Sequence, residues 1–177
     1  MEKTIHLHKP ERRSFIQKGV AASVSVAAFG LINQSEAWAL EVKAITPTEA
    51  KTLLQLCRDI YPHDRIHDEF YAVAVKGLDA KAQKDAGFKK QLSAGLKDLD
   101  ARAKKNFKRS YANVGWEIER NKLLKQIESS SFFQSIRGDL VVSLYNQEGV
   151  WPIFGYEGES ASKGGYINRG FNDLKWL

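Results

Sequence analysis

Between Thr46 and Tyr145, apolar residues recur three and four positions apart in five successive stretches. A half-buried strand would alternate every second residue, so this spacing restricts the region to amphipathic helices packed on one another. The first stretch opens on Thr46-Pro47-Thr48-Glu49. Thr46 suits a helix cap, Pro47 suits the first helical position, and Glu49 completes a reciprocal capping box. Ala50, Leu53, Leu54, Cys57, Ile60 and Tyr61 then lie on one face, until Pro62 disfavours a helical Tyr61. A second helix is expected from about Asp68, with Phe70, Val73, Ala74, Gly77 and Leu78 on its apolar side. A third carries Phe88, Leu92, Gly95, Leu96 and Leu99, and a fourth Trp116, Arg120, Leu123, Leu124 and Ile127. Ser129-Ser130-Ser131 breaks the pattern and offers a cap for a fifth, with Phe133, Ile136, Leu140, Val141 and Leu144. The expected architecture is all-α, a compact bundle of about five helices in one domain.

After Tyr145 the helical spacing stops. Residues 146–177 hold Trp151, Phe154, Tyr156, Tyr166, Phe171 and Trp176 among six glycines. Disordered tails are poor in aromatics, so this irregular tail is expected to bury its rings against something. Glycines among rings suit tight turns or a backbone that approaches another surface closely. Trp, Tyr and Arg dominate binding energy at interfaces. Trp151, Phe154, Tyr156, Gly164, Gly165, Tyr166, Arg169 and Trp176 are therefore the candidate partner interface. On that reading, removing residues 149–177 leaves the helices folded. The rival is a tail that folds back and completes the chain's own core.

Residues 1–18 are polar and basic and include Arg12-Arg13-Ser14-Phe15. Fourteen uncharged residues follow, 19–32, and then Ala37-Trp38-Ala39, an A-x-A cleavage signature. This is the three-part layout of an export signal. The apolar run falls short of the roughly 20 residues that span a bilayer. Arg12, Arg13 and Phe15 resemble the targeting residues of a twin-arginine signal, although Glu11, Gln17 and Glu36 depart from that pattern. An ordinary secretory signal and an uncleaved membrane anchor are the alternatives. The expected division is a signal over 1–39 and a helical domain over 40–177. The expected location is the periplasm, including its inner-membrane surface.

The chemistry-bearing residues are few. A single cysteine, Cys57, excludes an internal disulfide framework, CxxC redox chemistry and Cys-rich metal or iron–sulfur sites. Its place on an apolar helix face suggests a small core side chain. The four histidines are His6, His8, His63 and His67. His63 and His67, with Asp64 and Asp68 beside them, are the one candidate metal pair, lacking a distant third ligand. The competing reading is a helix connector in which Asp64 and Asp68 serve as caps. No glycine-rich phosphate loop and no nucleophile elbow is present. The basic run over 97–109 reads as a solvated helix end and loop; removal of residues 1–39 would lower the net charge from +6 to +4, and an exported protein rarely meets nucleic acid, so no such partner is expected. No catalytic residue, resident cofactor or cofactor-binding residue is assigned. Twin-arginine export carries folded proteins, often with a cofactor inserted first. Such a chain either folds fast or travels with a partner that holds the cofactor.

Three segments carry a family resemblance. They are the helix over 53–60 leading into Tyr61-Pro62-His63-Asp64, and Leu123-Leu124 to Ile127-Glu128 with Phe132-Phe133 behind it. The third is the tail Trp151…Gly155-Tyr156-Glu157-Gly158…Gly164-Gly165-Tyr166. Over most of residues 45–177 the chain resembles subunit 3, the small subunit, of the gluconate 2-dehydrogenase family. The resemblance implies a non-catalytic subunit that escorts and stabilises a large flavin subunit of the glucose–methanol–choline type. FAD is expected in that partner, with a sugar, sugar acid or alditol as substrate. In such complexes a cytochrome c subunit often passes electrons onward, and the twin-arginine translocase is the further expected partner. The alternative is a stand-alone exported binding protein, or a lone metal-dependent enzyme using His63 and His67.

Overall fold

The computed structural model describes residues 42–168 and residue 171, and these form an all-α bundle. Its helices are α1 (Pro47–Ile60), α2 (Asp68–Lys84), α3 (Ala86–Phe107), α4 (Glu117–Lys125) and α5 (Ser131–Tyr145). Short 3-10 turns occupy Tyr111–Asn113, Trp151–Phe154 and Ala161–Lys163. Helix α2 packs on α1, α3 and α5, while α4 lies against α3 and α1.

The capping box at Thr46 forms as its sequence implies. Thr46 Oγ1 accepts from the Glu49 backbone N–H at 3.2 Å, and Glu49 Oε2 accepts from the Thr46 N–H at 2.9 Å. The other Glu49 oxygen accepts from Ser93 of α3, so the box also ties α1 to its neighbour. Asp85 both ends α2 and starts α3. Its N–H donates to Lys81 O, and its carboxylate accepts from the Phe88 N–H at 2.9 Å. Ser130 caps α5 through the Phe133 N–H at 3.2 Å.

The core between these helices contains Leu53, Leu56, Cys57, Tyr71, Val75, Leu92, Leu96, Leu99, Ile136, Leu140 and Leu144. Gly95 permits a close approach of α3 and α5. A Cβ built there would lie 2.2 Å from the Phe132 ring, so the absent side chain is the space the ring fills. Ahead of α1, the strap over 43–45 is held by one buried carboxylate of α2. Asp79 accepts the backbone N–H groups of Lys43 (3.0 Å), Ala44 (2.8 Å) and Ile45 (3.0 Å). Gln83 Nε2 donates to it as well, at 2.8 Å.

Three helix faces differ from the sequence expectation. In α2 the buried stripe is Tyr71, Val75, Leu78 and Ala82, and Val73 is exposed. Tyr71 takes the core position because its hydroxyl donates to Tyr61 O at 2.5 Å. In α5 Phe132, not Phe133, is buried, because Gly95 opens a seat for it; Val141 faces out. Before α4, Trp116 is exposed, and Arg120 forms an ion pair with Asp59.

Candidate partner interface

Pro62 stops α1 and sends the chain through a turn that presents His63 to the end of α5. His63 Nε2 shares a 2.6 Å hydrogen bond with Tyr145 Oη. Burial, with the nearby Tyr61 hydroxyl, raises the Tyr145 phenol above the ordinary tyrosine range, so it stays protonated. Tyr61 meets the Tyr145 ring edge-on at 5.7 Å, and Phe154 meets the His63 ring at 5.3 Å. Such edge-to-face pairs are favourable because a ring's positive rim meets a negative face.

The chain then folds back over this end of the bundle. Gln147 Nε2 donates to Phe70 O at 2.9 Å. At Gly149 a Cβ would stand 2.7 Å from the Phe70 ring, so glycine allows the close pass that puts Val150 fully inside the core. Trp151 Nε1 donates to Tyr145 O at 2.9 Å. Gly155, at φ 74, turns the chain so that Tyr156 rests edge-on against Trp151 at 5.3 Å. The tail is thus divided. Its first part packs on its own bundle, the course described by the rival reading of a tail that folds back.

What that packing leaves outside is an apolar face. Phe154 and Tyr156 are each 49% exposed, and Val141 and Val142 of α5 lie open. Two open grooves meet there. One of about 550 Å³ runs between Val141, Val142, Tyr145, Trp151 and Tyr156 to Glu159. The other, about 540 Å³, is bounded by Trp151, Pro152, Tyr156, Glu148, Glu157 and Lys163. Gly164 and Gly165 follow in left-handed turns at φ 79 and 80, and Tyr166 is exposed. Arg169 and Trp176 lie outside the described residues, as do Arg12, Arg13, Phe15 and the 1–39 signal.

The other candidate residues are not brought together as a metal centre. His63 is engaged by Tyr145, and Asp68 is engaged by Arg58. His67, rather than Asp64 or Asp68, occupies the cap position of α2, and its side chain makes no cap bond. Among the described residues no three His, Cys, Asp or Glu side chains converge. Among them, too, no helix is long and apolar enough to cross a membrane.

Local sequence patterns miss one buried charge network. Arg120 forks onto Asp59, with Nε to Oδ2 at 2.8 Å and Nη2 to Oδ1 at 3.0 Å. Tyr111 Oη donates to Asp59 Oδ2 at 2.6 Å, and Gln55 Nε2 to Oδ1 at 3.1 Å. Burial first, and then the Asp59 charge, push the Tyr111 phenol far up, so it remains a donor. The hydrogen bond to Asp59 raises the Arg120 guanidinium further. Each Asp59 oxygen has partners, and the network ties α1 to the Tyr111 turn and α4. In comparisons with family models, curated proteins and solved structures, nothing matches this chain.

Proposed function

We propose that this chain is the small, non-catalytic subunit of an exported flavin-dependent dehydrogenase. It escorts and stabilises a large subunit of the glucose–methanol–choline type, which holds the FAD and acts on a sugar, sugar acid or alditol. Export is through the twin-arginine pathway to the periplasm. The observation that carries the reading is the aromatic face around Trp151 and Tyr156. Its rings are anchored from below by the Trp151 bond to Tyr145 and by buried Val150, while Phe154, Tyr156 and Val142 stay open. A pre-ordered apolar face of this kind loses little entropy on docking. The segments that resemble subunit 3 of the gluconate 2-dehydrogenase family include this tail. The metal-enzyme alternative gains nothing from the geometry, because His63 Nε2 is committed to Tyr145.

The test is co-expression with a neighbouring reading frame for a flavin dehydrogenase that lacks its own signal, followed by pull-down on this chain. A captured complex with a flavin absorbance spectrum is the expected result. A soluble, flavin-loaded dehydrogenase that never accompanies this chain overturns the proposal.

A further inference from the structure

The two grooves at the tail share Trp151 and Tyr156 as their common wall. Their polar rim is predominantly acidic, three carboxylates against the single cation Lys163. Glu148 and Glu157 border one groove and Glu159 the other. From residue 140 to residue 162 the chain contains these three glutamates and no lysine or arginine, although the whole protein carries +6. The next cation, Lys163, turns back onto the rim. Its Nζ donates to the Glu157 carbonyl and stands 3.8 Å from the Glu157 carboxylate. The chain's own nearest cation is therefore drawn to this rim.

Open rings beside carboxylates form a surface for a side chain that is apolar along its stem and cationic at its end. Arginine and lysine have that form, and arginine also stacks its planar guanidinium on aromatic faces. We propose that the grooves seat a cationic segment of the large subunit, an arginine- or lysine-bearing stretch. Its stems lie along Trp151 and Tyr156, and its charges meet Glu148, Glu157 and Glu159. This rests on the proposed function for the identity of the partner, and adds the chemistry by which the two chains meet. The same carboxylates repel an anionic lipid surface, which separates this face from a membrane-binding one.

The test compares the full chain with a Glu148→Gln/Glu157→Gln/Glu159→Gln variant, changes at exposed positions that keep side-chain shape. In titrations with the large subunit, the unaltered chain should lose affinity about tenfold or more as salt rises, because charge pairs are screened. The variant should bind about tenfold more weakly at low salt and show a flatter salt dependence. A second arm needs no dehydrogenase. A short peptide alternating arginine and leucine is titrated against tryptophan fluorescence, with a glutamate–leucine peptide as control. Saturable binding of the arginine peptide that the variant loses supports the inference. Equal binding by the variant overturns it, as does a preference of the unaltered chain for phosphatidylserine vesicles over the peptide. A large subunit that binds the variant undiminished overturns this inference and leaves the proposed function standing. A large subunit that binds neither form overturns the proposed function, and the peptide arm then decides the cationic specificity of the grooves.

Discussion

Replacing Asp79 by asparagine tests the strap over 43–45 most directly. Asp79 is 3% exposed, and all its partners named above are donors. Burial by itself raises a carboxyl pKa, but here the backbone donors and Gln83 outweigh it and hold Asp79 below the ordinary carboxylate range. Its folded pKa therefore lies below the unfolded value of about 3.9. The stabilisation is complete above that unfolded value and disappears as pH falls through the folded one. Asparagine retains one acceptor oxygen but turns an amino group toward N–H donors. A bond to a charged acceptor contributes about 1 kcal/mol more than a neutral one, so the three backbone bonds set an upper limit of about 3 kcal/mol. Lys43 is exposed and Ala44 half-buried, so a loosened strap recovers water at two of its three amides. The expected loss at neutral pH is then about 2 kcal/mol. Urea unfolding of the full chain should show this difference at neutral pH and its decline toward zero below about pH 4. Hydrogen exchange should quicken at the amides of Lys43, Ala44 and Ile45. A variant within about 0.5 kcal/mol of the parent at neutral pH, with those amides still protected, refutes the reasoning.

Three further perturbations have defined outcomes. Gly95→Ala forces a methyl into the Phe132 ring and should cost about 1–3 kcal/mol by thermal unfolding; adding Phe132→Ala should recover part of the loss. Ending the chain before Gly149 removes buried Val150 and should cost about 2 kcal/mol or more, whereas ending it before Ala161 should cost about 0.5 kcal/mol or less. Urea unfolding followed by circular dichroism compares the two truncations. Changing Arg12 and Arg13 together to lysine keeps the charge but removes the planar donor forks, so immunoblots of the periplasmic fraction should show a sharp fall. Undiminished export would assign the signal to the general secretory route.

Helix α1 was readable because its start, stripe and stop are consecutive: Thr46, Pro47 and Glu49, then Leu53 and Cys57, then Pro62. Helix α2 offers two overlapping stripes in an alanine-rich stretch. The choice between Val73 and Val75 depends on a Tyr71 bond to the carbonyl of Tyr61, a residue outside that helix. The choice between Phe132 and Phe133 likewise depends on Gly95, which lies in another helix. The buried ion pair joins Asp59 to Arg120, and no local window contains both. At the candidate interface, the rings were visible as composition and Gly155 as a turn. The inward course of Val150 was not, because it follows from the Phe70 ring passing over Gly149. His63 stands out in the sequence as a candidate metal ligand beside His67, but its partner Tyr145 sits 82 residues away.

Cys57 is the only cysteine of the chain, and it lies wholly inside the bundle between α1 and its neighbours. Burial pushes its thiol far above the usual range, so in the folded state almost no thiolate exists to react. An oxidising surrounding therefore leaves folded copies unlinked, while a copy that opens exposes a thiol able to join another opened copy. The same atom makes a clock. When alkylation of the opened thiol outpaces reclosing, the rate of Cys57 labelling equals the rate at which this part of the bundle opens. A docked partner that slows the labelling without touching Cys57 would be stabilising the bundle from outside.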